Sequence, residues 1–338
     1  MYKVLIFLIF CYNVYGWNDS GKQENIPDST DFFLMAQQYQ KALDLARILL
    51  NRNPANIEAL NLICTIKQTE ILDYEAYSID GAGYIGYADS ALSVISGCLD
   101  NKRGKDSLDA LFYIASILGG KGIILAKNGS WPSAVACALR SSGYLKQIIK
   151  IDPSYFAAYY GIGIFNYYLS RNLKWLPFFG DRREEALHQL AQAAIAPFPY
   201  NYAAKNSLCW ILIERNELAS ADSIASETIE KYPDNTLFLR IKIRTSIGLM
   251  HWNTARLTAQ KLIEISSLRT PPNWADMISG YQALACCCDN MGLYSDCREA
   301  AGKALSLKVP EAYCKIAFVK KHLKYLADIK KKYDNIYR

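Results

Sequence analysis

Three histidines, His188, His251 and His322, and a run of three cysteines, Cys286 to Cys288, are the residues best suited to acid–base, metal or redox chemistry. The histidines fall in well separated segments, so no nucleophile, base and orienting group can be assembled from them. Neighbouring residues on a helix point about 100° apart, so the three thiols cannot converge on one metal. No HExxH, GxSxG, Walker or dinucleotide pattern occurs. The expectation is a chain with no catalytic residues, no metal and no cofactor.

The remaining candidates for chemistry are aromatic and basic side chains, which anchor protein interfaces. A repeat positions them. Pro199 and Pro233 stand 34 residues apart. With that proline counted as position 32, Tyr202 opens the unit and Leu208 and Cys209 take the apolar and small sites at 7 and 8. Ala221 and Ala225 take the close-packing sites at 20 and 24. This pattern resembles the tetratricopeptide (TPR) repeat, whose period is about 34 residues. The expected fold is all-α, a TPR-like helical solenoid of antiparallel helix pairs with a C-terminal capping helix.

The register extends on both sides of this unit. Asp31 opens a helix with Tyr39, Ala42, Ala46 and Leu49 at helical spacings, read as a half repeat closed by Pro54. A helix over 57–78 follows, and Gly81, Gly83 and Gly86 then punctuate the chain up to a loop at 100–106. Helices are expected over 107–127 and 132–150, with Asn128-Gly129-Ser130 as their turn. The ladder restarts at Phe156, with Gly163 at the small site 8, and an insertion at 169–181 separates that helix from its partner. Units at 202–235 and 236–269 are regular, and 270–277 is a second insertion. The body is read as 31–309, and the amphipathic segment 310–338 as its cap.

Residues 107–235 carry a more specific pattern. Leu111-Phe112-Tyr113, Asn128-Gly129-Ser130-Trp131, Asp152-Pro153, the run Tyr159 to Tyr168 and Gly180-Asp181-Arg182-Arg183 resemble a family of exported bacterial TPR proteins. Gly180-Asp181-Arg182 is also similar to a segment of eukaryotic tetratricopeptide-repeat-39 proteins. The bacterial resemblance implies a helical interaction protein and supplies no catalytic residue.

The TPR resemblance also implies an inner groove lined by first-helix positions 2, 5, 9, 12 and 13. Those positions hold Tyr160, Ile164, Tyr167 and Tyr168 in one unit. They hold Asn206, Trp210, Ile213 and Glu214 in the next, then Arg240 and Arg244. This set is the expected groove for a protein or peptide partner. Trp175, Phe178 and Phe179 in the insertion form a second candidate, either docking on a partner or membrane surface or folding back as a plug.

Residues 1–16 read as a secretory signal: Lys3, the apolar run Val4 to Cys11, and Val14-Tyr15-Gly16 before cleavage. Residues 17–30 are polar and read as a tether. The expected destination is export, periplasmic or secreted, with Cys11 raising the question of lipidation. Nine cysteines then remain, read as small core residues. Ala110 to Gly120, interrupted by Lys121, reads as too short to cross a membrane. The net charge of +6 is modest, so the lysines of the last helix read as a solvated face or a peripheral membrane contact, and nucleic acid is not an expected partner. The alternative function is a solute- or lipid-binding accessory of an envelope transport system, which would need an apolar cavity. Partner identity and oligomeric state are not encoded in any motif.

Overall fold

The computed structural model describes residues 26–99, 104–173, 180–196 and 201–335. All regular structure among the described residues is helical. The helices run in order α1 (Ile26–Met35), α2 (Tyr39–Arg52), α3 (Ile57–Asp73), α4 (Tyr77–Leu99), α5 (Lys105–Lys127), α6 (Trp131–Ile151), α7 (Phe156–Leu173) and α8 (Arg183–Ile195). Then follow α9 (Asn201–Glu214), α10 (Leu218–Lys231), α11 (Thr236–Gly248), α12 (Trp252–Leu268), α13 (Trp274–Asn290), α14 (Tyr294–Ser306), α15 (Glu311–Cys314) and α16 (Ala317–Asp334). Their described residues form two compact units, one of residues 26–72 and 77–208, the other of 73–76 and 209–335. Each is a stack of antiparallel helix pairs, the TPR-like arrangement.

One turn recurs through the pairs. The residue between the helices is left-handed in α1/α2 (Gln37, φ 56°), α3/α4 (Glu75, 52°), α5/α6 (Gly129, 82°), α9/α10 (Asn216, 64°), α11/α12 (Met250, 58°) and α13/α14 (Gly292, 74°). The next residue donates its N–H to the carbonyl five positions back: Gln38 to Phe33, Ser130 to Leu125, Glu217 to Leu212, His251 to Ser246 and Leu293 to Cys288. This 6→1 bond is the helix-ending Schellman pattern, and it pairs a carbonyl that the helix end leaves open. His251 therefore has a structural place, as the first residue beyond a turn.

Small residues let the pairs close. Ala221, Ala225, Ala255, Ala259, Cys297 and Ala301 are fully buried at the register sites that required them. A Cβ on Gly163 would lie 3.0 Å from Leu190 Cγ and 3.1 Å from the Ala186 carbonyl oxygen, so glycine there sets the α7–α8 approach.

Several elements differ from the sequence expectation. The helix expected from Asp31 is two helices, α1 and α2, and α1 starts at Ile26, inside the stretch read as tether. The glycines at 81, 83 and 86 lie within α4, where Gly81 meets Ile124 of α5. α13 begins at Trp274, inside the expected insertion, because Asn273 caps it by accepting from the Asp276 N–H. The C-terminal helix breaks at Lys315 and Ile316 into α15 and α16. Residues 106–127 are, by length and composition, apolar enough to cross a membrane, with 83% of the window buried within the unit. Lys121 lies inside that window, its ammonium 2.5 Å from Asp89.

Candidate partner-binding face

The groove residues of the TPR register fall into three environments. On α7, Tyr160, Ile164, Tyr167 and Tyr168 are buried at 1–4% exposure. Tyr167 and Tyr168 meet edge to face at 5.3 Å, and Tyr160 OH lies 3.4 Å from the Ser207 hydroxyl. These four side chains therefore pack inside the first unit.

On α9 the register runs from interior to surface. Asn206 is buried at 2%, Trp210 and Ile213 are half-buried, and Glu214 is exposed. Spacings of four and three residues put Asn206, Trp210 and Ile213 on one helical face. Both amide atoms of Asn206 and the Trp210 indole Nε1 are buried without a hydrogen-bond partner among the described residues. An unpaired buried polar group costs about 1–3 kcal/mol, and the same condition recurs elsewhere among the described residues, as at Ser266.

Arg240 and Arg244 on α11 differ sharply. Arg244 is exposed. Arg240 is consumed by a charge cluster of the second unit, donating Nε to Asp276 and Nη2 to both the carbonyl and carboxylate of Asp73. Arg269 donates to the other Asp73 oxygen at 2.5 Å, Thr236 to the first at 3.1 Å, and Asn273 to the Asp73 carbonyl at 3.0 Å. Asp73 is fully buried, and the Arg240 and Arg269 side chains are 16% and 12% exposed. Burial alone would lower the Arg240 pKa, but Asp276 and Asp73 hold it above its ordinary value. Burial pushes the Asp276 carboxyl up, against the pull of Arg240. Two acids and two bases offset one another here, and the cluster fastens residues 73–76 to the rest of their unit. Tyr74 adds a hydrogen bond to the Pro271 carbonyl at 3.2 Å and a ring beneath Arg269.

Trp175, Phe178 and Phe179 lie outside the described residues. Beyond them, Asp181 accepts from the Arg183 N–H at 3.1 Å and pairs with its guanidinium. Among the described residues no cluster of three His, Cys, Asp or Glu side chains is placed to hold a metal, and all nine described cysteines are thiols. Burial pushes Cys64, Cys287 and Cys297 up to about 12, which keeps them protonated and poor nucleophiles. Cys209 and Cys297 donate weakly to carbonyls across their pairs, Ala221 and Ala285, as small packing residues.

No family model and no curated protein matches the chain. Among solved structures, a chain of the APC/C hetero-tetramer Cut9–Hcn1 aligns with a TM-score of 0.52 and 12% identity over 91% of this chain. The alignment spans 55% of that longer chain. A tetratricopeptide repeat protein from Parabacteroides merdae aligns at 0.40 with 13% identity, covering 90% of this chain and 98% of that one. The C-terminal part of a TPR repeat-containing protein from Cytophaga hutchinsonii aligns at 0.41 with 15% identity, covering 88% and 98%. The first of these supports the helical-repeat fold.

Proposed function

We propose that the chain is a non-catalytic TPR-like scaffold that holds a protein or peptide partner along the Trp210, Glu214 and Arg244 face of the second unit. The observation that carries this reading is that Trp210 and Glu214 on α9 and Arg244 on α11 keep their groove register positions partly or fully exposed, unlike the buried tyrosines of α7. A tryptophan supplies apolar area and an arginine a planar cation, the two side chains that most often anchor an interface. The TPR-like architecture, which commonly serves protein–protein interaction, supports the same reading. Arg244, exposed at the corresponding register position of α11, offers a cation to an acidic partner.

The proposal extends to export, on the strength of Lys3, the Val4 to Cys11 run and Gly16, all outside the described residues. The test is quantitative recovery of partners by the chain purified from its native envelope, compared with Trp210→Ala and Arg244→Ala. Recovery should fall in both variants, and a recovered chain starting at Trp17 would support export. Equal recovery by all three proteins would refute the assignment of this face. The accessory alternative depends on a different feature, an apolar cavity, and one lies between α5, α6 and α7.

A further inference from the structure

That cavity lies wholly within the first unit and has a volume of about 450 Å³. Small residues line its floor, Gly119 and Gly122 on α5, Ala134 and Ala138 on α6, and Gly161 on α7, with Gly122 and Gly161 pressed against the Ala134 carbonyl and Leu145. Phe112, Phe165 and Tyr168 form an aromatic side. At the mouth, Trp131, Val135 and Leu139 recur every four residues along α6 and are 42%, 53% and 53% exposed. Side chains of this kind are usually inside a fold, so three in one exposed row beside a cavity mark a binding surface.

The wall is mostly apolar. Among the described residues, no lining residue carries a charge or a side-chain amide. Two of its serines bond inside the protein: Ser141 donates to the Ala115 carbonyl at 2.7 Å, and Ser142 to the Leu139 carbonyl at 2.9 Å. Tyr160 faces Ser207. Among the described residues, no buried side-chain oxygen or nitrogen of the wall lacks a hydrogen-bond partner. A polar ligand body would leave its water bonds and find nothing in return, whereas each buried CH₂ gains about 0.8 kcal/mol.

The surroundings add a sign of charge. From Trp131 to Ile151, α6 carries Arg140, Lys146 and Lys150 and no Asp or Glu. The guanidinium of Arg171 lies over the ring of Tyr168, 5.6 Å from its centre. A pocket lined by Tyr168, with the Arg171 guanidinium over that ring and only basic charges along α6, suits a molecule with an apolar tail and an anionic head.

We propose that this pocket binds the hydrocarbon chain of a single-chain anionic amphiphile, its tail between α5, α6 and α7 and its carboxylate outside against the basic flank. The site deepens the accessory alternative and stands or falls without the scaffold reading.

The test is calorimetric titration of palmitate, kept below its aggregation threshold, into the delipidated full chain, with hexadecanol as the uncharged counterpart. Saturable one-to-one palmitate binding is expected, with hexadecanol weaker. Ala138→Phe, which fills the floor, and Val135→Asp, which places a negative charge at the mouth, should each weaken palmitate by about tenfold or more. Should Ala138→Phe fail to fold by circular dichroism, Val135→Asp, at an exposed position, decides the matter. Absence of saturable binding, unchanged affinity in a folded variant, or hexadecanol binding as tightly as palmitate would each overturn the proposal. Partner recovery is read in a separate assay, so the two ideas fail separately.

Discussion

At the scale of single residues, Arg240 shows how a side chain of the right type in the right register can be committed elsewhere. Position 5 of its unit pointed it at a groove, but Asp276 and Asp73 hold it, and Asp73 is 167 residues distant in sequence. No local pattern announces such a pairing. Removing one member of a buried charge cluster strands the others, at a cost of about 3–5 kcal/mol. Arg240→Ala should therefore lower the unfolding free energy by that order and with it the denaturant midpoint, whereas Arg244→Ala, at an exposed site, should leave the midpoint nearly unchanged. Equal midpoints for the two variants would show that the cluster is not stabilising. His322 gives a pH-dependent counterpart. Burial, with a smaller push from Lys321, lowers it from 6.5 to about 4, and its ring meets Phe318 at 5.7 Å. In the fold it is neutral, while in the unfolded chain it takes a proton below its ordinary pKa. Its contribution to stability is thus complete above about pH 6.5 and is lost as pH falls toward 4. Thermal melts across that range should show a slope that is smaller in His322→Gln. An identical slope in both proteins would remove His322 from the account.

At the scale of elements, the glycines separate by what they touch. Gly163 in α7 is pressed against Leu190 and the Ala186 carbonyl, whereas Gly143 in α6 has open space around it. Gly163→Ala should destabilise by about 1–3 kcal/mol through forced separation of α7 and α8. Gly143→Ala should stabilise by about 0.5–1 kcal/mol, since alanine is the better helix residue and nothing obstructs it. Chemical denaturation of the two variants checks both signs. The small-residue ladder was readable in the sequence because alanine, cysteine and glycine at sites 8, 20 and 24 are forced by close packing. The turn between helices was read from its own residues at Asn128-Gly129-Ser130, where glycine announces a left-handed residue. At Gln37, Glu75 and Met250 the same conformation is held by a side chain that gives no such signal, so the pairs α1/α2 and α3/α4 did not stand out. The glycines of α4 misled in the opposite direction: Gly81 fits against α5 and does not end its helix.

At the scale of the whole molecule, the sequence pattern reached the architecture and stopped short of the surface. A periodic sequence specifies which helix faces meet their neighbours, and the helical-repeat fold follows from that. It does not specify which inner-face residues stay accessible, because this depends on how closely successive pairs pack. On α7 they pack closely enough to bury Tyr160, Tyr167 and Tyr168, while on α9 the register runs out to a half-buried Trp210 and an exposed Glu214. The apolar pocket had no signature either, since Gly119, Gly122 and Ala138 look like ordinary helix-packing residues until three helices are brought together around them. The central claim, that the exposed groove positions of the second unit hold a partner, is tested most directly by Arg244→Ala. Arg244 is exposed, so its removal takes nothing from the packed core. The melting temperature of Arg244→Ala should therefore match that of the wild type while partner recovery falls. A variant that melts with the wild type and still recovers the partner in full would contradict the account.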